Sequence, residues 1–66
     1  MNLGEKLKQL RLEKNLTQKQ LADRLGVAIS AISSYESDTR CPTSDTLIKY
    51  ARIFHVSTDY LLGLEP

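Results

Sequence analysis

The chain has 66 residues, nine basic and eight acidic side chains, and a formal net charge of +1 at pH 7. This length allows one domain, predicted over residues 1–66, with a small hydrophobic core, and no apolar run approaches the length of a membrane span. The one cysteine, Cys41, cannot form a disulfide within the chain, and no signal segment is visible, so we expect a cytoplasmic protein.

The first predicted helix begins at Asn2, which can cap it, and ends at about Lys14. Asn15 follows as a residue that tolerates the left-handed backbone at a helix end. The inward face has apolar residues at helical spacing: Leu3, Leu7 and Leu10. Leu12 lies off this stripe, and we expect it to be exposed.

The second predicted helix has clear signals at both ends. Thr17 is a good N-cap, and Gln20 three residues later completes a capping box. Gly26 stands where the helix should stop, at a position that favours a left-handed backbone. The apolar face between them is formed by Leu21, Ala22 and Leu25.

The third predicted helix begins at Ala28 or Ile29, directly after the tight turn at Gly26. Its inward residues lie at i, i+3, i+4 and i+7: Ala28, Ala31, Ile32 and Tyr35. The opposite stripe carries no charge: Ile29, Ser30, Ser33, Ser34 and Ser37. A face of small, uncharged side chains can sit against base edges in a DNA major groove, but spacing alone fits an ordinary serine-rich surface equally well.

Two further helices complete the predicted bundle. Residues 37–42 form a polar loop, Thr43 caps the fourth helix, and Ser57 caps a short fifth helix that ends at Gly63. The inward residues are expected to be Leu47, Tyr50, Ala51 and Phe54 on the fourth helix and Leu61 and Leu62 on the fifth. The sequence therefore predicts an all-α fold, a compact bundle of five short helices, in which helices two and three form a helix-turn-helix.

The sequence contains no recognisable catalytic, cofactor or metal site. His55 is the only histidine, and its place at a helix end favours a turn residue with a left-handed backbone. The serines have no general base beside them in a known motif, and no glycine-rich phosphate loop is present. We therefore expect a protein that is not an enzyme and that needs neither cofactor nor metal.

Four segments in order resemble the Cro/CI-type (Xre-like) helix-turn-helix family, which includes the DNA-binding domains of lambdoid phage repressors. These segments are T-Q-K-Q-L-A-D-R-L-G-V, A-I-S-A-I-S-S-Y-E, P-T-S-D-T-L-I-K-Y-A and V-S-T-D-Y-L-L. The resemblance extends from about Leu3 to Leu62. It implies a bacterial or phage transcriptional regulator, usually a repressor, that binds duplex DNA with helix three, residues 28–36, in the major groove.

The resemblance also implies roles for individual residues. The residues that face the bases would be Ala28, Ile29, Ser30, Ser33 and Ser34. The residues that contact phosphates would be Thr17, Gln18 and Lys19 at the start of helix two, and Thr39 and Arg40 in the loop after helix three. Arg11 and Glu36 would form a structural ion pair, although two unrelated surface charges remain an alternative.

This chain departs from the family pattern in ways that affect DNA reading. Ala28 stands where the family usually has a Ser or Thr cap for helix three. The recognition helix also lacks the long polar side chains that pair with purines. We therefore expect weak recognition of bases, with Ile29 against a thymine methyl. A homodimer on a near-palindromic operator is expected, with Tyr60 and Leu64 as contact residues. The low net charge keeps open a protein-interaction or antitoxin-like module with weak DNA affinity.

Overall fold

The structure is a computed structural model that describes residues 2–65. Its elements in chain order are α1 (Leu3–Glu13), α2 (Gln18–Leu25), α3 (Ile29–Glu36), α4 (Ser44–Phe54) and α5 (Thr58–Leu62). No strand occurs within residues 2–65. The predicted all-α bundle of five short helices is confirmed, while Met1 and Pro66, the ends of the predicted domain, lie outside the described residues.

Side-chain caps begin four of the five helices. These caps are Asn2, Thr17, Thr43 and Ser57, and each accepts a hydrogen bond from the backbone N–H three residues later. At α2 the bond is reciprocal: the Gln20 N–H donates to Thr17 Oγ1 at 3.0 Å, and the Thr17 N–H donates to Gln20 Oε1 at 2.8 Å. The first turns therefore start where local hydrogen bonding satisfies otherwise unpaired N–H groups.

Residues with a left-handed backbone follow several of the helices. Gly26 ends α2 with φ 71°, and His55 ends α4 with φ 56°. His55 thus fills a place where glycine is usual, and its N–H donates to the Ala51 carbonyl. Asn15 (φ 57°) turns the chain after α1 in the same way. These tight ends keep the connections short and bring successive helices into contact.

A single cluster of buried side chains joins all five helices. It contains Leu7, Leu21, Ala22, Leu25, Ala31, Ile32, Tyr35, Leu47, Tyr50, Ala51, Phe54 and Leu61. Two inward assignments were wrong. Ala28 is exposed because it is the extended N-cap of α3 and not part of the helix, and Leu62 is 51% exposed because the five-residue α5 buries only Leu61. None of the helices in residues 2–65 is both long and apolar enough to cross a membrane.

The start of α1 packs tightly against the end of α3. Gly4 is buried there, and a Cβ at this position would lie 2.6 Å from the Glu36 carbonyl oxygen and 2.7 Å from Asp38 Oδ2. The Gly4 N–H donates to Asp38 Oδ1 at 3.0 Å. Asp38 has φ 61°, and this left-handed turn presents its carboxylate to the N-terminal end of α1. Only glycine allows this close approach, which links the end of α3 to α1.

Candidate nucleic-acid interface

The outer face of α3 is exposed and uncharged. Ile29 is 47% exposed, Ser30 and Ser33 are exposed, and Ser34 is half-buried. Glu36 is the only charged residue of α3, and its side chain is only 4% exposed. The surface that α3 presents therefore consists of small hydroxyls and one branched apolar side chain, with no charge to be desolvated when another surface approaches.

The turn between α2 and α3 holds the exposed helix in place. The Val27 N–H donates to the Ala22 carbonyl at 3.0 Å across the left-handed Gly26. On the inner face of α3, Ile32 is fully buried and Tyr35 nearly so. Because the inner face is anchored in the core, the orientation of the outer face is set by packing and not by the loop alone.

An ion pair between Arg11 and Glu36 joins α1 to the end of α3. Arg11 Nε lies 2.6 Å from Glu36 Oε2, and Arg11 Nη2 donates to Glu36 Oε1 at 3.1 Å. The two side chains are 9% and 4% exposed. Arg11 Nη1 also donates to the Leu16 carbonyl at 2.8 Å, which ties in the loop before α2. Such a bidentate geometry is the strongest form of this pairing.

The start of α2 is connected to the same carboxylate. Gln18 Nε2 donates to Glu36 Oε1 at 3.2 Å, and the Gln18 side chain is half-buried. Thr17 and Lys19, the other two predicted phosphate contacts here, are exposed. The structure thus brings this group beside the end of α3, with Gln18 held by Glu36 and not free in solvent.

The loop after α3 brings the other two predicted phosphate contacts to the surface. Both Thr39 and Arg40 are exposed. The Ser34 carbonyl accepts hydrogen bonds from the Thr39 N–H at 3.0 Å and from the Arg40 N–H at 3.2 Å. The Arg40 guanidinium lies 5.8 Å from the centre of the Tyr35 ring, a cation–π distance. Thr39 and Arg40 therefore extend directly from the C-terminal end of α3.

Lys8 is a functional candidate that sequence reasoning did not single out. It lies on α1 beside α3 and lines a groove of about 230 Å³. The sequence does contain a signal, because four basic residues stand close together early in the chain: Lys6, Lys8, Arg11 and Lys14. That cluster did not show which members face α3, because their neighbours come from distant parts of the sequence.

A buried tyrosine lies beneath the ion pair. Tyr50 is fully buried, and its hydroxyl has no hydrogen-bond partner within residues 2–65. Burial raises the pKa of Tyr50 well above its ordinary value, and the negative charge of Glu36 raises it further. The Tyr50 ring stacks with Phe54 and meets Tyr35 edge to face. Tyr50 is thus a neutral core residue that supports α3 from below.

The two predicted dimer contacts lie on α5 and just beyond it. Tyr60 is exposed, and Leu64 is 71% exposed. Lys6 Nζ donates to the Tyr60 carbonyl at 2.9 Å and lies 5.2 Å from the centre of its ring. This contact fastens α5 to α1 and leaves the outer edge of Tyr60 and most of Leu64 on the surface.

The residues that the structure describes contain no cluster suited to a metal ion. No three His, Cys, Asp or Glu side chains in residues 2–65 are grouped closely enough to hold one. Cys41 is exposed and has no disulfide partner.

Comparison with known proteins gives consistent matches over nearly the whole chain. The helix-turn-helix family model matches residues 7–61. The HTH-type transcriptional regulator ImmR of Bacillus subtilis is 46% identical over 63 residues, which are 96% of this chain and 50% of ImmR. The HTH-type transcriptional activator BcrR of Enterococcus faecalis is 46% identical over 65 residues, 98% of this chain and 32% of BcrR. This chain therefore spans half the length of one relative and a third of the other.

A solved structure matches the fold over nearly the whole chain. The P22 c2 repressor, crystallised in complex with a synthetic operator, superposes with a TM-score of 0.92 at 28% identity and covers 98% of both chains. These similar proteins are transcriptional regulators and not enzymes, as the sequence predicted. They do not favour the protein-interaction alternative.

Proposed function

Because this chain belongs to the helix-turn-helix family, as its motifs predicted, we propose that it binds duplex DNA sequence-specifically and represses transcription. The observation that carries this proposal is the outer face of α3, which is exposed, uncharged and anchored from behind by buried side chains. A helix with such a face fits the width of a B-DNA major groove. Occupancy of a promoter by such a domain blocks other proteins by steric exclusion. Its proposed target places it in the cytoplasm of a bacterium.

We propose that the exposed end of α3 reads the bases mainly through apolar and short polar contacts. Ile29 would touch a thymine methyl, and the hydroxyls of Ser30 and Ser33 would reach base edges directly or through water. Ala28 and Ser34 flank this surface as minor contacts. Serine cannot make the bidentate contact that Gln or Arg makes with a purine, so DNA shape should contribute much of the specificity.

Two groups of residues would fix the domain on the sugar-phosphate backbone. Thr17, Gln18 and Lys19 lie at the start of α2, where free N–H groups and the helix dipole favour an anion. Thr39 and Arg40 follow the C-terminal end of α3, beside which Gln18 also lies through its bond to Glu36. Both groups therefore reach the surface beside the C-terminal end of the recognition helix, and we propose that they contact the sugar-phosphate backbone there.

We further propose that two subunits bind a near-palindromic operator, one on each half-site. A single domain with few strong base contacts has limited specificity, and a second half-site multiplies it. The exposed Leu64 and the outer edge of Tyr60 form a small apolar patch that suits a two-fold contact.

The test is a selection of duplexes from a random-sequence library, followed by affinity measurements against the selected and scrambled duplexes at fixed salt. Ser33→Glu, which places a carboxylate on the outer face of α3, should abolish binding through repulsion from phosphates. Ser44→Glu makes the same change at an exposed position at the start of α4 and should bind like the parent. Equal affinity for selected and scrambled duplexes would overturn sequence-specific binding.

Repression and pairing need their own readouts. A promoter that overlaps the selected sequence should drive less reporter expression when the protein is present, and increased expression would overturn repression in favour of activation. Footprinting should show two protected half-sites. Protection of one half-site without cooperativity would overturn the dimer, and a Leu64→Asp variant that keeps full cooperativity would remove Leu64 from the contact.

A further inference from the structure

Lys8 and Ser37 have no role in the contacts proposed above, yet both line the same groove. The groove lies between α1, the start of α2 and the C-terminal half of α3, and its volume is about 230 Å³. Its lining residues are Lys8, Gln18, Ser33, Glu36 and Ser37. Ser33 belongs to the exposed face of α3, so the groove opens beside the surface that would meet DNA.

The lining of this groove is rich in hydrogen-bond donors. Lys8 supplies an ammonium group, Gln18 a side-chain amide and Ser33 a hydroxyl. The Ser37 hydroxyl is already bound, since it donates to the Ser34 carbonyl at 3.2 Å. The one carboxylate, that of Glu36, is neutralised by Arg11, whose Nε and Nη2 bind its two oxygens at 2.6 and 3.1 Å. Glu36 therefore holds Gln18 in place without giving the groove a net negative charge.

We propose that this groove receives one backbone phosphate of the bound duplex, with Lys8 as the cationic contact and the Ser33 hydroxyl donating to the phosphate in place of the base edge named above. The proposal rests on the proposed DNA-binding function and extends its contact surface to α1. Phosphate oxygens only accept hydrogen bonds, which matches this lining, whereas a base pair presents both donors and acceptors in the major groove. A compact ammonium suits a phosphate as a point charge.

Two lysines on α1 have different surroundings, and this difference supplies a matched control. Lys6 and Lys8 are two residues apart, which separates their directions by roughly 200° around a helix. Lys6 Nζ binds the Tyr60 carbonyl on α5 at 2.9 Å, while Lys8 lines the groove beside α3. Lys6→Gln and Lys8→Gln therefore remove the same charge from two sides of one helix.

The first measurement is the salt dependence of affinity for the tightest selected duplex. Lys8→Gln should reduce the slope of log affinity against log salt by about 0.9 for each bound subunit, because one counterion fewer is released. When the salt concentration is raised fourfold, the DNA affinity of the parent should therefore fall by a factor about 3.5 times larger per bound subunit than that of the variant. Lys6→Gln should keep the parental slope.

The second measurement identifies the phosphate. Single phosphates of the duplex are replaced in turn by uncharged methylphosphonates, and each duplex is titrated with the parent and with Lys8→Gln. At one phosphate in each half-site, the affinity losses caused by the methylphosphonate and by Lys8→Gln should be non-additive, since both changes remove the same contact. Ser33→Ala should be non-additive at that same phosphate, and Lys6→Gln should be additive at every phosphate.

The outcomes separate this inference from the proposed function. One outcome is that the parent binds the selected duplex with a salt-dependent affinity and that Lys8→Gln has the same slope of log affinity against log salt. The groove then does not hold a phosphate, although the proposed DNA binding is supported. If the losses caused by Lys8→Gln and by the methylphosphonate are additive at every phosphate, Lys8 acts through a long-range charge effect, and the proposed contact is overturned. A parent that binds no duplex would overturn both proposals.

Discussion

Glu36→Gln tests whether the buried ion pair holds α3 in place. The change keeps the shape of the side chain and removes its charge. Glu36 Oε1 accepts from Arg11 Nη2 and from Gln18 Nε2, while Oε2 accepts from Arg11 Nε. If the glutamine oxygen keeps the two donors, its NH₂ group must face Arg11 Nε, which is also a donor. The variant therefore leaves a buried guanidinium unpaired on one side.

The expected loss is large compared with the stability of so short a chain. Breaking a buried pair by altering one partner costs about 3–5 kcal/mol, because an uncompensated charge stays buried. At about 0.05–0.15 kcal/mol per residue, a domain of this length has about 3–10 kcal/mol of unfolding free energy in total. We expect a loss of about 3 kcal/mol, the low end, because one amide oxygen remains. At about 4–8 °C for each kcal/mol, the melting temperature should fall by about 12–24 °C.

Thermal and urea denaturation, followed by circular dichroism, measure this loss directly. Glu13→Gln is the matched control, since Glu13 is the exposed last residue of α1 and its change should stay within about 0.5 kcal/mol. Arg11→Met combined with Glu36→Gln leaves no charge buried, so the double variant should lose less than the sum of the two single losses. Melting of Glu36→Gln within about 3 °C of the parent would refute the reasoning.

Three further changes test the packing around α3 by the same denaturation assays. Tyr50→Phe should raise the unfolding free energy by about 1 kcal/mol, because it removes a buried hydroxyl without a partner. Burial raises the pKa of Tyr50, so above about pH 10 the tyrosine ionises in the unfolded chain but not in the folded one. The parent should therefore lose stability as pH rises above about 10, and Tyr50→Phe should lose less. Identical profiles of stability against pH for the two proteins would contradict this. Gly4→Ala should lower the unfolding free energy by about 1–3 kcal/mol, since its Cβ would lie 2.6 Å from the Glu36 carbonyl oxygen. An unchanged melting temperature would mean that α1 and α3 can move apart enough to accommodate the Cβ. Ala28→Ser should raise the unfolding free energy by about 0.5–2 kcal/mol, because it supplies the side-chain cap that α3 lacks. A variant no more stable than the parent would mean that the helix does not start at this residue. If the variant also selects a different duplex sequence, position 28 lies on the DNA-reading surface.

The ends of the helices were predictable because their causes are local. Thr17 and Gln20 satisfy each other's backbone N–H groups across three residues, and no distant part of the chain is needed. The same holds for the left-handed residues Gly26 and His55, whose conformations follow from the turn that each helix end requires. Helical spacing then identified every apolar residue of the buried cluster, because a buried stripe recurs with the helix period.

Helical spacing failed where a helix starts or is very short. Ala28 falls on the apolar stripe of α3 by count, but its extended backbone (ψ 152°) takes it out of the helical register and into solvent. Leu62 follows Leu61 by one residue, about 100° around the helix, and α5 has only one side against the core. Periodicity gives directions within a helix, and it does not say how much of each helix end the neighbours cover.

Contacts between distant residues came from the tertiary structure alone. Gly4 and Asp38 are 34 residues apart, and their hydrogen bond exists because the packing of α1 on α3 places a left-handed turn over a helix N-terminus. The basic cluster on α1 was visible in the sequence, but only this packing turned Lys8 towards the recognition helix and Lys6 towards α5. Local hydrogen bonding and spacing determine each helix, whereas the distance between two helices depends on how all the buried side chains fill the core together.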